Sequence, residues 1–342
     1  MNQIKINNRR YMWSKFKVLF FIKEIIEKEN IKFTSFCDIF WWTWIVADFF
    51  NNKDTKIIIN DLLYSNYISY IARFWNGVYK KSKIKKIIEF YNILEDIKDN
   101  YFSINFGNTY FSHFNCKKIG FIRENIEQRY LKWDINWRER AILITSLLYA
   151  MDKIANTVWH YDAYRMNGSL DKELILKELD LKPNIINKNN RIFNENANDL
   201  VRRIKCDVIY IDPPYNSRQY FGAYHLLENI AMWKKEPVFW IAKKIKDESK
   251  KSDYCSIKAT KTFSNLINNV EAKYIIVSHN NMEKKWVWRS QAKISDQEIL
   301  DILSTRGEVK LYDMPFKQFS TWKTNIDNHK EELFICKINN AK

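Results

Sequence analysis

The sequence predicts an α/β protein, a Rossmann-like sheet interrupted by a mostly helical insertion. Two observations carry this. Residues 33–61 run strand, turn, helix, strand, acid, which is the order of a βαβ unit. From about 64 to 160 that alternation stops and long helical patterns take over, with strands resuming only near 191. A chain of 342 residues is long enough for one large domain or a core with a satellite lobe. An apolar share of 46% and an aromatic share of 16% exclude a disordered chain. We divide it into a first part of the core (1–74), a helical insertion (75–160) and the rest of the core (161–342).

The elements follow in order. Residues 14–30 (SKFKVLFFIKEIIEKEN) alternate apolar and charged positions at helical spacing. Phe33–Phe40 is a short apolar run, expected as a buried strand, ending in the Trp-Trp-Thr-Trp turn. Ile45–Asn52 reads as a helix and Thr55–Ile59 as the next strand, closed by Asn60-Asp61. Within the insertion, residues 139–158 (ERAILITSLLYAMDKIANTV) form the clearest helical pattern of the chain. The polar stretch 161–200 reads as loop with a short strand at Arg191–Asn194. Asp207–Ile211 and Lys273–Ser278 are expected as buried strands, and Glu308–Asp313 with Glu331–Ile338 as a closing strand pair.

Composition narrows the function classes. No apolar run reaches the roughly 18 residues of a membrane span, since Lys23 interrupts Val18–Ile22. The five cysteines are scattered, with no CxxC pair, and the five histidines show no metal spacing. With no cleavable leader pattern at the N-terminus, we expect a cytoplasmic protein with reduced thiols and no metal. Lys and Arg number 56 against 40 acidic residues, a net charge of +16. That surplus favours a polyanionic partner, nucleic acid above all, although it also suits a Lys-rich proteome.

The most specific signal is Asp212-Pro213-Pro214-Tyr215, directly after the apolar run DVIYI. Two prolines force the backbone out of a sheet into a fixed extended turn. That puts a carboxylate, a carbonyl and an aromatic ring beyond the strand's carboxyl end, where open α/β sheets bind ligands. Two acceptors and a flat ring suit a planar exocyclic amine. A proline-rich strand cap with Tyr215 as packing is the plainer alternative.

Asp-Pro-Pro-Tyr followed by Asn216-Ser217-Arg218-Gln219-Tyr220 resembles the motif of the DNA methyltransferases that modify adenine N6. The resemblance covers most of the chain and is weakest over 75–135. Tyr11-Met12-Trp13-Ser14-Lys15 resembles the Y-x-G-S-K segment of the alpha group, the DNA adenine methylase type. Asp38-Ile39-Phe40-Trp41-Trp42-Thr43-Trp44 resembles their D-x-F-x-G-x-G cofactor loop. Tyr274–Asn281 and Phe319–Phe334 are similar to later strands of that family. The order (cofactor loop, long insertion, DPPY) is that of the alpha group, where the insertion recognises the target.

The resemblance implies a class I methyltransferase sheet and S-adenosylmethionine as cofactor. Tyr11, Trp13 and Lys15 would lie at its methionine end, Asp38, Phe40, Trp42, Thr43 and Trp44 in its loop, and Asp61 on its ribose. The acid expected near its adenine falls on Asn196, a departure from the pattern, with Asp199 close by. Asp212, Pro213, Pro214 and Tyr215 would hold a flipped adenine. Lys284, Lys285 and Arg289, and the basic run containing Lys80 and Lys81, are candidate phosphate contacts, the latter equally readable as a solvated helix face. Double-stranded DNA is the implied partner, with a monomeric enzyme beside a cognate restriction endonuclease. RNA adenine or cytosine N4 methylation, and a catalytically dead nucleic-acid-binding scaffold, are the alternatives.

Glycine and tryptophan usage is anomalous. At the usual share of about 7% a chain of this length carries roughly 24 glycines, yet this one has 6, beside 13 tryptophans. Trp13, Trp41, Trp42, Trp44, Trp159, Trp240, Trp286, Trp288 and Trp322 stand where the resembled segments call for glycine or another small residue. Drift would scatter replacements among several residue types, so one repeated replacement suggests one cause. UGA codons read as glycine by the source cell and rendered as tryptophan would produce it, and the Lys-, Ile- and Asn-rich composition fits an AT-rich genome. Decay of an inactive enzyme is the competing account. Trp233 reads as an ordinary apolar position.

Overall fold

The computed structural model describes residues 13–40, 45–158, 160–181, 187–214, 219–280, 292–315 and 330–339, without the side chains of 13–17, 45 and 280. They form two compact units. The first comprises Met12–Leu62, Ile185–Tyr220 and Lys251–Lys342. It contains β1 (Ser35–Asp38), β2 (Lys56–Asn60), β3 (Arg191–Phe193), β4 (Val208–Ile211), β5 (Tyr274–Asn280), β6 (Gly307–Pro315) and β7 (Lys330–Ile338). These make one seven-stranded sheet in the order β3-β2-β1-β4-β5-β7-β6. The first five are parallel, and β7 enters antiparallel between β5 and β6. This is a Rossmann-like α/β sheet whose strand order reverses between β1 and β4, the place where such folds bind ligands.

Strand alternation divides the side chains between two faces. Cys37, Ile58, Ile209, Ile211, Ile275 and Val277 share one core with α8 (Ala197–Leu200), α10 (Ala259–Asn268) and α11 (Asp296–Ser304), through Leu200, Phe263, Leu266, Ile299 and Leu303. On the other face Phe36 stacks on Tyr210 at 6.5 Å and on Phe50 of α2 (Ile45–Phe50) at 4.6 Å. Phe49 of α2 meets Phe20 of α1 (Trp13–Lys28) at 6.3 Å. Each fully buried ring of this kind contributes about 1.5–3 kcal/mol. The first strand is shorter than its apolar run: ahead of it the Thr34 N–H goes to the Asp207 carboxylate instead of a neighbouring strand, and Phe33 packs its ring on Phe36 and Phe50.

The amino ends of the central strands are stapled by one carboxylate. Asp207, just ahead of β4, accepts the N–H of Thr34 at 2.8 Å and of Ser35 at 3.0 Å, together with both their hydroxyls. Lys273, just ahead of β5, pairs with it at 2.8 Å. Burial pushes the Asp207 pKa up, but Lys273 and the Thr34 and Ser35 donors outweigh this and hold it well below the usual carboxylate range.

The second unit comprises Leu63–Asn184 and Phe221–Lys250 among the described residues and is helical. It contains α3 (Tyr64–Phe74), α4 (Lys81–Asn92), α5 (Tyr101–Phe106), α6 (His113–Leu131), α7 (Trp137–Ile154) and nearly all of α9 (Tyr220–Met232). The α7 helix starts two residues ahead of its sequence pattern because Asn136 and Glu139 cap each other's backbone N–H groups. Two buried charges tie the unit together. Glu228 accepts the Tyr64 and Ser65 N–H groups at the start of α3, at 3.0 and 2.7 Å. Arg123 of α6 donates to the carbonyls of Ile230 (2.7 Å) and Ala231 (3.2 Å) at the end of α9 and pairs with Glu127 at 2.7 Å. Among the described residues no helix is long and apolar enough to cross a membrane.

Candidate active site at the carboxyl edge of the sheet

Parallel pairing fixes which strand ends are neighbours. Asp38 at the end of β1 lies in register with Ile59 of β2 on one side and Tyr210 of β4 on the other. One residue past β2 is Asp61 and one past β4 is Asp212, so three carboxylates share the carboxyl edge of three adjacent strands. Asp38 is 1% exposed and Asp61 7%. Asp212 and Pro214 are half-buried and Pro213 is buried. The prolines stand where the strand must stop, since neither can donate to a ladder.

The turn after β2 is held by its backbone. The Asp61 N–H donates to the Phe193 carbonyl at 3.4 Å, and its own carbonyl accepts the Asn194 side-chain amide at 2.7 Å. The same amide donates to the Leu62 carbonyl at 3.0 Å. Beside it stands a residue that sequence reasoning passed over. Asn60, 1% exposed, donates to the carbonyls of Ile39 (3.1 Å) and Glu195 (3.0 Å) and accepts the Glu195 N–H at 3.0 Å. One side chain therefore fixes the chain leaving β1, β2 and β3. Its signal in the sequence was weak, because Asn before Asp at a strand end reads as ordinary turn chemistry.

Other expected residues take different surroundings. Phe40 packs edge-on against Tyr254 at 4.9 Å, and the Tyr254 hydroxyl donates to Asn198 at 2.8 Å. Asn196 is exposed and caps α8, accepting the Asn198 N–H at 2.9 Å, a task an amide performs as well as an acid. Beyond the DPPY segment, Gln219 exchanges two hydrogen bonds with the Ser252 backbone, at 3.0 and 2.8 Å. In the helical unit, Lys80 precedes α4 and Lys81 opens it; both are exposed, while Ile84, Ile87, Ile88 and Tyr91 form the buried face of α4. Tyr11, Trp42, Thr43, Trp44, Tyr215, Lys284, Lys285 and Arg289 lie outside the described residues. So do the side chains of Trp13 and Lys15, whose backbone is helical.

Among the described residues one group has metal-ligating chemistry, His279, Asp296 and Glu332, with ligand atoms within 4.8 Å of one another. His279 Nδ1 lies 2.7 Å from Asp296 Oδ1. Burial first, and then Asp296 and Asp313, raise the Glu332 pKa to about 8 against the opposing pull of Lys330. Burial and the neighbouring Asp296 and Asp313 carboxylates thus favour the protonated form of Glu332.

Comparison with known proteins identifies the family. Residues 11–289 match the D12 class N6 adenine-specific DNA methyltransferase family. The modification methylase StsI of Streptococcus sanguinis is 32% identical over 94% of this chain and 50% of its own length. The type II methyltransferase M.FokI of Planomicrobium okeanokoites is 31% identical over 94% of this chain and 50% of its own length. The chain thus spans about half the length of these two relatives. The type II methyltransferase M.NlaIII of Neisseria lactamica is 30% identical over 86% of both chains. The chain belongs to the D12 class N6 adenine-specific DNA methyltransferases.

Proposed function

We propose that this protein transfers a methyl group from S-adenosylmethionine to N6 of an adenine flipped out of duplex DNA, as the modification enzyme of a restriction–modification pair. The observation that carries this is the row of carboxylates at adjacent strand ends where the strand order reverses, with Asp-Pro-Pro closing the middle of the sheet. Support comes also from the names of its relatives, which are modification methylases and type II methyltransferases. The finer reading is an alpha-group enzyme with a DPPY motif, its helical stretch 75–160 serving target recognition.

The donor chemistry at the edge fits the cofactor. A carboxylate at the end of the second strand is the acceptor that ribose hydroxyls require, and Asp61 supplies it. Asp38, buried at the end of β1, supplies negative charge for an ammonium or for the loop that follows. Tyr11, Lys15 and the 41–44 turn would complete the cradle, with Asn196 or Asp199 near the adenine. When bound, S-adenosylmethionine supplies an electrophilic methyl group. The Asp212 carboxylate and the Pro213 carbonyl accept hydrogen bonds from the exocyclic amine and turn its lone pair toward that methyl, so the rate gain comes from orientation. Tyr215 offers a ring for the flipped base to stack on. Lys284, Lys285, Arg289, Lys80 and Lys81 would neutralise backbone phosphates, with affinity falling steeply as salt rises.

Tritiated methyl transfer to duplex DNA tests the reading, with RNA and cytosine-only duplexes as comparison. The chain as written should be run beside a version with glycine at the nine suspect tryptophans. Label in adenine N6 of DNA is the expected result. Label in RNA or cytosine would replace the substrate, and no label from a folded, cofactor-binding glycine version would favour a dead scaffold.

A further inference from the structure

Among the described residues, eight that are not glycine have a left-handed backbone: Asn30, Asp96, Asn108, Trp133, Trp233, Lys235, Trp240 and Lys243. Asparagine and aspartate tolerate that region, whereas a bulky aromatic does not. Three tryptophans occupy it, and no glycine among the described residues does.

Trp133 stands just past α6, with φ 59°. Its N–H donates to the Tyr130 carbonyl at 3.1 Å, and the next N–H, of Asp134, donates to the Arg129 carbonyl at 2.9 Å. These two bonds, with a left-handed residue between them, are the Schellman helix ending, whose left-handed position is glycine's. The indole offers no compensation, being 93% exposed. Trp240 opens a four-residue hairpin loop closed by reciprocal Phe239–Lys244 backbone bonds of 2.8 and 2.9 Å. Its φ is 59° and its side chain is 64% exposed. Trp233 differs, although its φ is 55°. Its Nε1 donates to Glu124 at 2.8 Å, and its ring meets Tyr101 at 6.0 Å and the Arg123 guanidinium at 5.6 Å. Trp137 has ordinary helical geometry in the first turn of α7, with the Arg140 guanidinium 5.0 Å from its ring.

We infer that the native chain carries glycine at 133 and 240, the tryptophans there being misreadings of a codon that the source cell decodes as glycine, while Trp233 and Trp137 are true tryptophans. Backbone alone sets Trp137 apart, because Trp233 shares the left-handed φ. What distinguishes Trp233 is its hydrogen-bonded, half-buried indole. The Trp133 and Trp240 indoles are exposed, Trp240 meeting the Phe239 ring at 5.8 Å and Lys246 at 5.1 Å. This rests on helix-end and hairpin geometry in the helical unit and is independent of the methyl-transfer reading. It adds Trp133 to the positions singled out by sequence.

Two measurements test it. Peptide masses of the protein purified from its source should report glycine at 133 and 240 and tryptophan at 137 and 233, with matching genomic codons of UGA and UGG. Tryptophan encoded by UGG at 133 and 240 overturns the inference. In the recombinant full-length chain, Trp133→Gly and Trp240→Gly should each raise the melting midpoint by roughly 2–4 °C. Trp137→Gly should lower it, through a glycine inside a helix and the lost stacking of Arg140. A fall in midpoint for both of the first two variants also overturns it.

Discussion

Asn60→Ala is the sharpest test of how the strand ends are assembled. The side chain makes three hydrogen bonds in a site 1% exposed to solvent, so truncation leaves the Ile39 carbonyl and both Glu195 backbone groups without this partner. At about 1 kcal/mol for each bond lost, the fold loses roughly 3 kcal/mol. For a unit of this size that lowers the melting midpoint by about 6–12 °C. The same three bonds hold the residue after Asp38 and the residue before Asp61, and displacement of a binding group by an ångström costs up to about 100-fold. The apparent KM for S-adenosylmethionine should therefore rise by at least about tenfold, with kcat less affected. Asn60→Asp keeps the shape and the bond from the Glu195 N–H but sets a negative charge against two carbonyls, so it should be at least as damaging. Calorimetry and methyl-transfer kinetics on both variants decide it. A midpoint within about 2 °C of the parent would refute the energetic reasoning. A large drop in midpoint with an unchanged KM would leave Asn60 a structural residue only.

Three further outcomes are expected. Asp212→Asn should cut kcat by about 10²–10³-fold, as for loss of one orienting acceptor, while leaving the midpoint and cofactor binding near the parent's; near-normal turnover would remove Asp212 from the chemistry. Asp61→Ala should weaken cofactor binding by about 10–100-fold, the worth of a charged hydrogen bond, and equal affinity by titration calorimetry would move the ribose elsewhere. Glu332 has a pKa raised in the fold, so its contribution is full at acid pH and is lost as pH climbs through about 8. The parent should therefore lose stability progressively between about pH 4.5 and 8 and level off above that, whereas Glu332→Gln, which cannot titrate, should show a flatter profile over the same window. Parallel profiles would mean that the Glu332 pKa is not raised in the fold.

Much of this architecture is legible from residue order. Cys37-Asp38, Asn60-Asp61 and DVIYI-Asp-Pro-Pro mark the strand ends because apolar runs must stop where prolines and acids begin. The closing β6–β7 pair follows from an alternating strand beside a continuous apolar one. Inside the insertion the pattern fails for a definite reason. The α6 helix buries Asn115, Lys118 and Arg123, so its apolar periodicity is broken by polar residues whose partners lie far off in sequence. Lys118 donates to the Asn92 carbonyl at 2.8 Å, and Arg123 to the end of α9. The Asn60 bonds were illegible for the same reason, since their worth depends on Glu195, 135 positions away. Left-handed tryptophans mislead in the opposite direction, giving helix endings and turns the look of apolar segments.

The separation of Asn60 from Glu195 also bears on how the protein assembles itself. Closing a free loop of that length costs roughly 4 kcal/mol beyond the constant for short loops. The strand that closes it, β3, has only three residues, none of them fully buried. So small an edge cannot recover that entropy alone, and the excursion from β2 must first fold locally and hold its own ends near each other. The β3 edge can pair only after that closure, and it leads directly into Asn194 and Glu195, the residues that hold the turn after β2 and bond to Asn60. A lesion that merely softens the helical excursion would thus surface as a loosely held cofactor, without any altered residue at the carboxyl edge.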